Sequence, residues 1–326
     1  MLVDFRARGH HRGTGNSMKQ IILDTDIGSD VDDALCLGLA LAEPSIELIG
    51  ITTVSGDTAC RARIARKLAR LAGQSGIPVF AGTVDPVDDE KRFFWHGQEG
   101  DGILDESDRD ALPTETGVAA LARMIETHPQ AEVVAVGPLT NIARLILEAP
   151  QTAAKIPQLT IMGGHLREIT FGQKSFPFGI DYNICSDPAA ATIVLEAQIP
   201  TRLVTADVTL QTWLTPDDRD RLADGAGPAR AAILRALDRW TPIQRSLFEG
   251  FVGDLSGNAA FLHDPLALAC ALDESHCEFE DLGISTGWDG DVFRTYEDPK
   301  GRKIRCATAI DGPRFAKFFV RALRAL

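Results

Sequence analysis

The chain has 326 residues, enough for one large or two ordinary domains, and its 44% hydrophobic and 24% charged fractions are those of a soluble globular protein. A formal net charge of −13 argues against a nucleic-acid partner, which needs basic surface to displace counterions, and would hinder binding to anionic lipid. The longest uninterrupted apolar stretch, Ala34 to Ala42, is far too short to span a bilayer.

Residues 1–17 stand apart. They carry Arg6, Arg8, His10, His11 and Arg12 with no apolar period, and read as a disordered extension or an upstream start, the domain proper beginning at Met18. The first strand candidate, Gln20–Leu23, runs into Asp24-Thr25-Asp26-Ile27-Gly28-Ser29-Asp30-Val31-Asp32-Asp33 and then a buried helix, Asp32–Ala42. Further strands are expected at Glu47–Thr53, Pro78–Phe80, Glu132–Val136, Leu159–Met162 and Thr201–Thr205. Helices are expected between them at Ala59–Ala72, Gly117–Thr127, Asn141–Leu147 and Pro188–Ala197. Near-continuous apolar strands separated by helices predict an α/β fold with an open, mainly parallel sheet covered on both faces. From about Thr215 the pattern is mainly helical, with Pro216–Ala223, Arg230–Phe251 and Pro265–Leu272, and a terminal helix packing through Phe315, Phe318, Phe319 and Leu323. No linker or internal repeat divides residues 18–326, so a single domain is expected. Six scattered cysteines, without a Cys-x-x-Cys spacing or a secretory signal, argue against a disulfide framework and make the cytoplasm the default location.

The acidic run carries the functional signal. Five carboxylates in ten residues, with nothing basic interleaved, repel one another. They suit either a solvated turn or a hard cation such as Ca²⁺ or Mg²⁺, which takes oxygen ligands. A loop at the carboxyl end of a strand in an open α/β sheet is where ligands bind, which favours the cation.

The acidic run resembles the signature of the nucleoside hydrolases, Asp-x-Asp-Pro-Gly-x-Asp-Asp-Ala, with Ile27 in place of the proline and two extra residues before the final pair. Asp32 and Asp33 match that pair best because the apolar helix follows directly; Asp30 is the alternative for its first position. Further matches follow in order: Val134-Ala135-Val136-Gly137-Pro138-Leu139-Thr140-Asn141, Met162-Gly163-Gly164-His165, Ile180-Asp181-Tyr182-Asn183, Ala206-Asp207-Val208-Thr209 and His263-Asp264-Pro265. Ser55-Gly56-Asp57 falls where the family usually has Gly-Asn, and Trp95-His96-Gly97 looks like a substrate loop. The ordered set covers most of the chain.

The resemblance implies a Rossmann-like nucleoside hydrolase fold and Ca²⁺-dependent hydrolysis of the N-glycosidic bond of ribonucleosides, yielding free base and ribose for salvage. It implies that Asp26, Asp33, Asp264 and the Val136 carbonyl hold the Ca²⁺. Asp26 would also take the proton of the attacking water, and His263 would face the leaving base. Substrate contacts would come from Asp32, Asp57, His96, Asp181, Asn183 and Trp240, with Gln244 and Phe248 on the same helix as Trp240. A homodimer or homotetramer is implied too, with a small-molecule ribonucleoside as the partner and neither nucleic acid nor membrane.

Blander readings exist for several of these residues. A Gly-Pro turn followed by Asn or Thr can be an ordinary helix start, and His-Asp-Pro can be a cap. Two other functions compete: a haloacid dehalogenase-type Mg²⁺ phosphatase, for which Asp24-Thr25-Asp26 would supply nucleophile and acid, and a non-catalytic nucleoside or ribose binder. An EF-hand fails because its twelfth loop residue would be Leu35.

Overall fold

The computed structural model describes residues 18–88, 99–108, 111–171, 174–176, 181–252 and 255–326. Strand β1 (Lys19–Thr25) lies inside the main sheet, third from one edge. Its Ile21 and Leu23 enter the core on one face and Ile22 enters the core on the other, so an unbroken apolar run is what this position requires. Helix α1 (Asp32–Ala42) follows, then β2 (Ile46–Thr53), α2 (Thr58–Leu71) and the short β3 (Val79–Ala81). The second half of the parallel sheet is built from α3 (Gly117–Thr127), β4 (Glu132–Ala135), α4 (Thr140–Glu148), α5 (Pro150–Ala153) and β5 (Leu159–Met162). A small hairpin, β6 (Ile169–Phe171) and β7 (Lys174–Phe176), leads to α6 (Tyr182–Ser186), α7 (Pro188–Glu196), β8 (Thr201–Val204) and α8 (Ala206–Thr209).

Beyond these, β9 (Trp213–Leu214) pairs with β10 (Ala260–Phe261) around α9 (Pro216–Ala223) and the long α10 (Pro228–Val252), and α11 (His263–Leu272) closes this region. The expectation of a mainly helical C-terminal part holds to Leu272 and then needs amendment. Three strands, β11 (Cys277–Asp289), β12 (Val292–Glu297) and β13 (Arg302–Ile310), precede the terminal helix α12 (Gly312–Leu323). These strands mix apolar positions with exposed charged ones such as Glu280 and Lys303, because only part of their surface is covered. They lack the unbroken apolar runs that mark the central strands.

The nine-stranded sheet has the order β12-β11-β13-β8-β5-β4-β1-β2-β3. Pairings from β3 across to β13 are parallel, and β11 is antiparallel to both β12 and β13. One core gathers α1, α2, α10, α11 and α12 through residues such as Leu37, Ile64, Leu237, Leu268 and Phe319. The other gathers α3, α4 and α7 through Leu121, Ile142 and Val194. From β1 the chain steps outward to β2 and β3, then returns to the other side of β1 to start β4. The β1–β4 border is therefore the topological switch point, where connections leave in opposite directions and open a crevice at the strands' carboxyl ends.

Candidate active site at the switch point

Asp26 stands one residue past β1, beside the end of β4. A Cβ built on Gly137 would come within 2.7 Å of Asp26 Oδ1 and 2.9 Å of its backbone nitrogen, so only glycine permits this approach. The β1–α1 loop turns at Gly28, whose φ of +120° suits no side chain. It then brings Asp30, Asp32 and Asp33 together, with carboxylate oxygens all within 4.8 Å of one another. The N-cap of α1 is Val31, which offers no side-chain cap, and Asp32 and Asp33 lie in the first turn, where the helix dipole favours negative charge. The position of Asp30 beside both members of the pair keeps it as a contributor to the same cluster.

Asp264 comes from the far side. Helix α11 also begins without a side-chain cap, at Leu262, so the capping alternative for His-Asp-Pro is not what this helix uses. Asp264 is 2% exposed and feels the negative charges of Asp33, Asp30 and Asp26. Burial, before any other cause, pushes the carboxyls of Asp32, Asp33 and Asp264 well above the usual range, and their neighbours' charges add to it. Burial likewise raises Asp26 to about 7, with Arg61 pulling the other way and Asp30 adding to the rise.

Arg61 is the residue that motif reading missed. It is 2% exposed, and its guanidinium donates to the Asp26 carbonyl, to the Ile27 carbonyl at 3.1 Å, to the Ser55 carbonyl at 2.7 Å and to Ser29 Oγ at 2.9 Å. It thus ties the acidic loop to the β2–α2 loop, where Ser55 is held at a φ of +66°. The usable signal was its place in α2, on the side of Ile64, Ala65 and Leu68, where an arginine has no solvent to reach.

On the β4 side, Asn183 Nδ2 donates to the Val136 carbonyl at 2.7 Å and to the Met162 carbonyl at 3.1 Å. The structure therefore brings together two residues that the sequence placed in separate motifs. Asp181 caps α6 by accepting from the Ile184 N–H at 2.9 Å, and its carboxyl is raised chiefly by burial. Tyr182, between them, lies near enough to Asp26 and Asp30 that their charges add to the rise burial causes in its phenol. Asn141 is a brace rather than a ligand: it binds Asp24 Oδ1 at 2.7 Å, the Thr53 carbonyl at 3.0 Å and the Thr83 N–H at 2.9 Å, locking three strand ends.

His263 Nδ1 lies 2.5 Å from Thr209 Oγ1, and its ring packs 5.3 Å from that of Phe261. Burial pushes its pKa down to about 4, so the imidazole is neutral near pH 7. Trp240 Nε1 donates to Gln244 Oε1 at 3.2 Å, and Gln244 also accepts from the Phe261 N–H and donates to Asn258. Trp240 and Ile243 border a cavity of about 230 Å³ whose floor includes Gly28, Ser29 and Asp30, so α10 faces the acidic loop. Asp57 lies at an exposed corner and caps α2 through the Cys60 N–H at 2.9 Å, a duty that its sequence motif did not announce. His96 lies outside the described residues.

This donor set fits a hard cation. Asp26, Asp33 and Asp264 are buried carboxylates that repel one another, the Val136 carbonyl is an oxygen donor, and sulfur is absent from the set. The Arg61 side chain touches the acidic loop, and its bonds go to carbonyls and a hydroxyl rather than to carboxylates. Buried anions without a paired counter-charge are costly, and a divalent ion is the economical remedy.

An open α/β sheet with a carboxylate-lined centre at its switch point defines the general class: an enzyme working at the carboxyl ends of parallel strands. A family model described as inosine-uridine preferring nucleoside hydrolase matches residues 21–317. A pyrimidine-specific ribonucleoside hydrolase of Shewanella sp. (strain ANA-3) is 33% identical over 282 residues, covering 82% of this chain and 83% of that one. Among solved structures, a plant nucleoside hydrolase superposes with a TM-score of 0.80 at 25% identity, covering 94% of this chain and 99% of its own. A purine-preferring ribonucleoside hydrolase from Gardnerella vaginalis gives 0.79 at 27% identity, covering 94% and 98%. The chain belongs to the nucleoside hydrolase family. Its reaction is hydrolysis of the ribonucleoside N-glycosidic bond, and the phosphatase alternative falls away. No helix among the described residues is long and apolar enough to cross a membrane.

Proposed function

We propose that this N-glycosidase works with a calcium ion held by Asp26, Asp33, Asp264 and the Val136 carbonyl. The observation that carries the reading is the convergence of buried, mutually repelling carboxylates from the β1–α1 loop and from α11 beside the end of β4. Calcium suits it because the donors are all oxygens and come from separate, adjustable loops. When bound, the ion would orient a water and two ribose hydroxyls and offset the charge of the carboxylates.

The chain's own residues then divide the work. Bond breaking at ribose C1′ develops positive charge on the ring, as for other glycosides, and Asp32 together with Asp30 offers negative charge to stabilise it. Asp26 takes the proton of the attacking water, for which its carboxylate must be ionised. Asn183 holds the Val136 carbonyl at 2.7 Å and the Met162 carbonyl at 3.1 Å with its two amide protons, and would offer its Oδ1 to a ribose hydroxyl as an acceptor. Asp181 and Asp57 would use their free lone pairs on sugar hydroxyls while still capping their helices. His263, neutral near pH 7, assists the departing base by hydrogen bonding rather than as an imidazolium acid. Trp240, with His96 from the Gly-rich loop, would cover the base.

The pyrimidine-specific relatives make uridine and cytidine the first substrates to try, with inosine and adenosine for comparison. The test separates free base from ribose by chromatography, with and without a chelator. Base and ribose in equal amounts, lost on chelation and restored by calcium, are expected. Nucleoside binding without base release would turn the reading into a binder, and release unaffected by exhaustive chelation would overturn the role given to the ion.

A further inference from the structure

The contact between Thr209 and His263 has a chemical consequence beyond packing. Thr209 is fully buried at the end of α8, and its hydroxyl carries one proton with two acceptors in reach. His263 Nδ1 is at 2.5 Å, whereas the Ala206 carbonyl is at 3.4 Å and already accepts from the Leu210 N–H at 2.9 Å. The much shorter contact, to the ring nitrogen, takes the proton. An imidazole whose Nδ1 accepts a hydroxyl proton has no proton on that nitrogen and carries its one proton on Nε2. The Phe261 ring, 5.3 Å from the imidazole and itself 5.6 Å from Phe248, restricts rotation about the histidine's χ2.

We propose that Thr209 is a positioning residue that fixes His263 as the Nε2–H tautomer, so that the histidine presents a donor, not a lone pair, to the departing base. The proposal rests on the reading of His263 as the partner of the leaving group. When the C1′–N bond breaks, its electron pair stays on the base and spreads over the ring's nitrogen and carbonyl atoms. A donor at Nε2 stabilises that charge, while a lone pair there would repel it. Water supplies the hydroxyl to C1′, its proton passes to Asp26, and the base regains a proton from solvent. Atoms therefore balance without a proton leaving His263.

Three measurements on the full-length, calcium-loaded enzyme test this. Long-range ¹H–¹⁵N spectra of the wild-type protein should show His263 with a pyridine-type Nδ1 and a pyrrole-type Nε2. Thr209→Val, which keeps the shape and removes the hydroxyl, should lower kcat for uridine or inosine by roughly tenfold to a hundredfold, with KM within about threefold. The same variant should cleave a nitrophenyl riboside, whose leaving group needs no help, within about twofold of wild type. Thr209→Ser should recover most of the lost rate. A pyrrole-type Nδ1 in the wild type would overturn the tautomer assignment, and equal loss on natural and activated substrates would overturn the positioning role. His263→Ala supplies the control: equal loss on both kinds of substrate there would remove the leaving-group reading, and the proposal with it.

Discussion

Removing the divalent cation should invert the way the protein's stability depends on pH. In the metal-free fold Asp26 is raised from 3.8 to about 7, and Asp32, Asp33 and Asp264 are raised as well, burial being the first cause throughout. The folded state then holds protons that the unfolded chain has released, so stability is fully present below about pH 4 and is lost as pH rises through the folded value near 7. For Asp26 alone, about three pH units correspond to roughly 4 kcal/mol of folded-state cost for ionisation. A bound cation favours the ionised forms and relieves that cost. Chemical denaturation from about pH 5 to about pH 8, with chelator and with saturating calcium, reads the effect as the difference between the two curves, in which titrations elsewhere cancel. That difference should grow with pH by several kcal/mol, on the order of the cost above, and calcium binding near pH 6 should release protons, measurable by calorimetry in two buffers. A calcium increment that is flat or shrinks with pH would refute the placement of the ion among these carboxylates.

Substitutions separate the remaining roles. Asn183→Ala should lower kcat/KM roughly tenfold to a thousandfold, about 1.4–4 kcal/mol of transition-state stabilisation, while the fold survives by circular dichroism. Arg61→Met leaves the carbonyls of Asp26, Ile27 and Ser55 without their buried donor and should lower unfolding free energy by roughly 3–5 kcal/mol, measured by urea titration. Gly137→Ala forces a methyl to within 2.7 Å of Asp26 Oδ1 and should lower base release at least roughly a hundredfold with a modest change in melting temperature.

The parallel half of the fold was legible because burial on both faces writes itself into sequence. Ile21-Ile22-Leu23 and Val133-Val134-Ala135 leave no polar alternation to confuse, and α1, α3 and α9 fall at the residues expected for them. Strands β11 to β13 were not legible because their pattern is set by partial exposure at one end of the sheet, where Glu280 and Lys303 face water. In the site, charge made Asp26, Asp33 and Asp264 conspicuous: so many acids are hard to account for without a cation. Arg61 escaped because its partners are backbone carbonyls, which no side-chain motif announces. Thr209 escaped because a threonine in Asp-Val-Thr carries no chemical signal until His263 is seen 2.5 Å away, 54 positions on. Asp57 shows the opposite: its carboxylate suggested the sugar, and its place at the start of α2 also gives it a capping duty.

The most direct test of the account is a crystal structure of the calcium-loaded enzyme with a non-hydrolysable ribonucleoside analogue, using anomalous scattering to locate the ion. The account predicts one calcium within about 2.3–2.6 Å of oxygens from Asp26, Asp33, Asp264 and the Val136 carbonyl, with the ribose hydroxyls completing its shell. An ion bound elsewhere, with those three carboxylates protonated or turned away from the sugar, would contradict it.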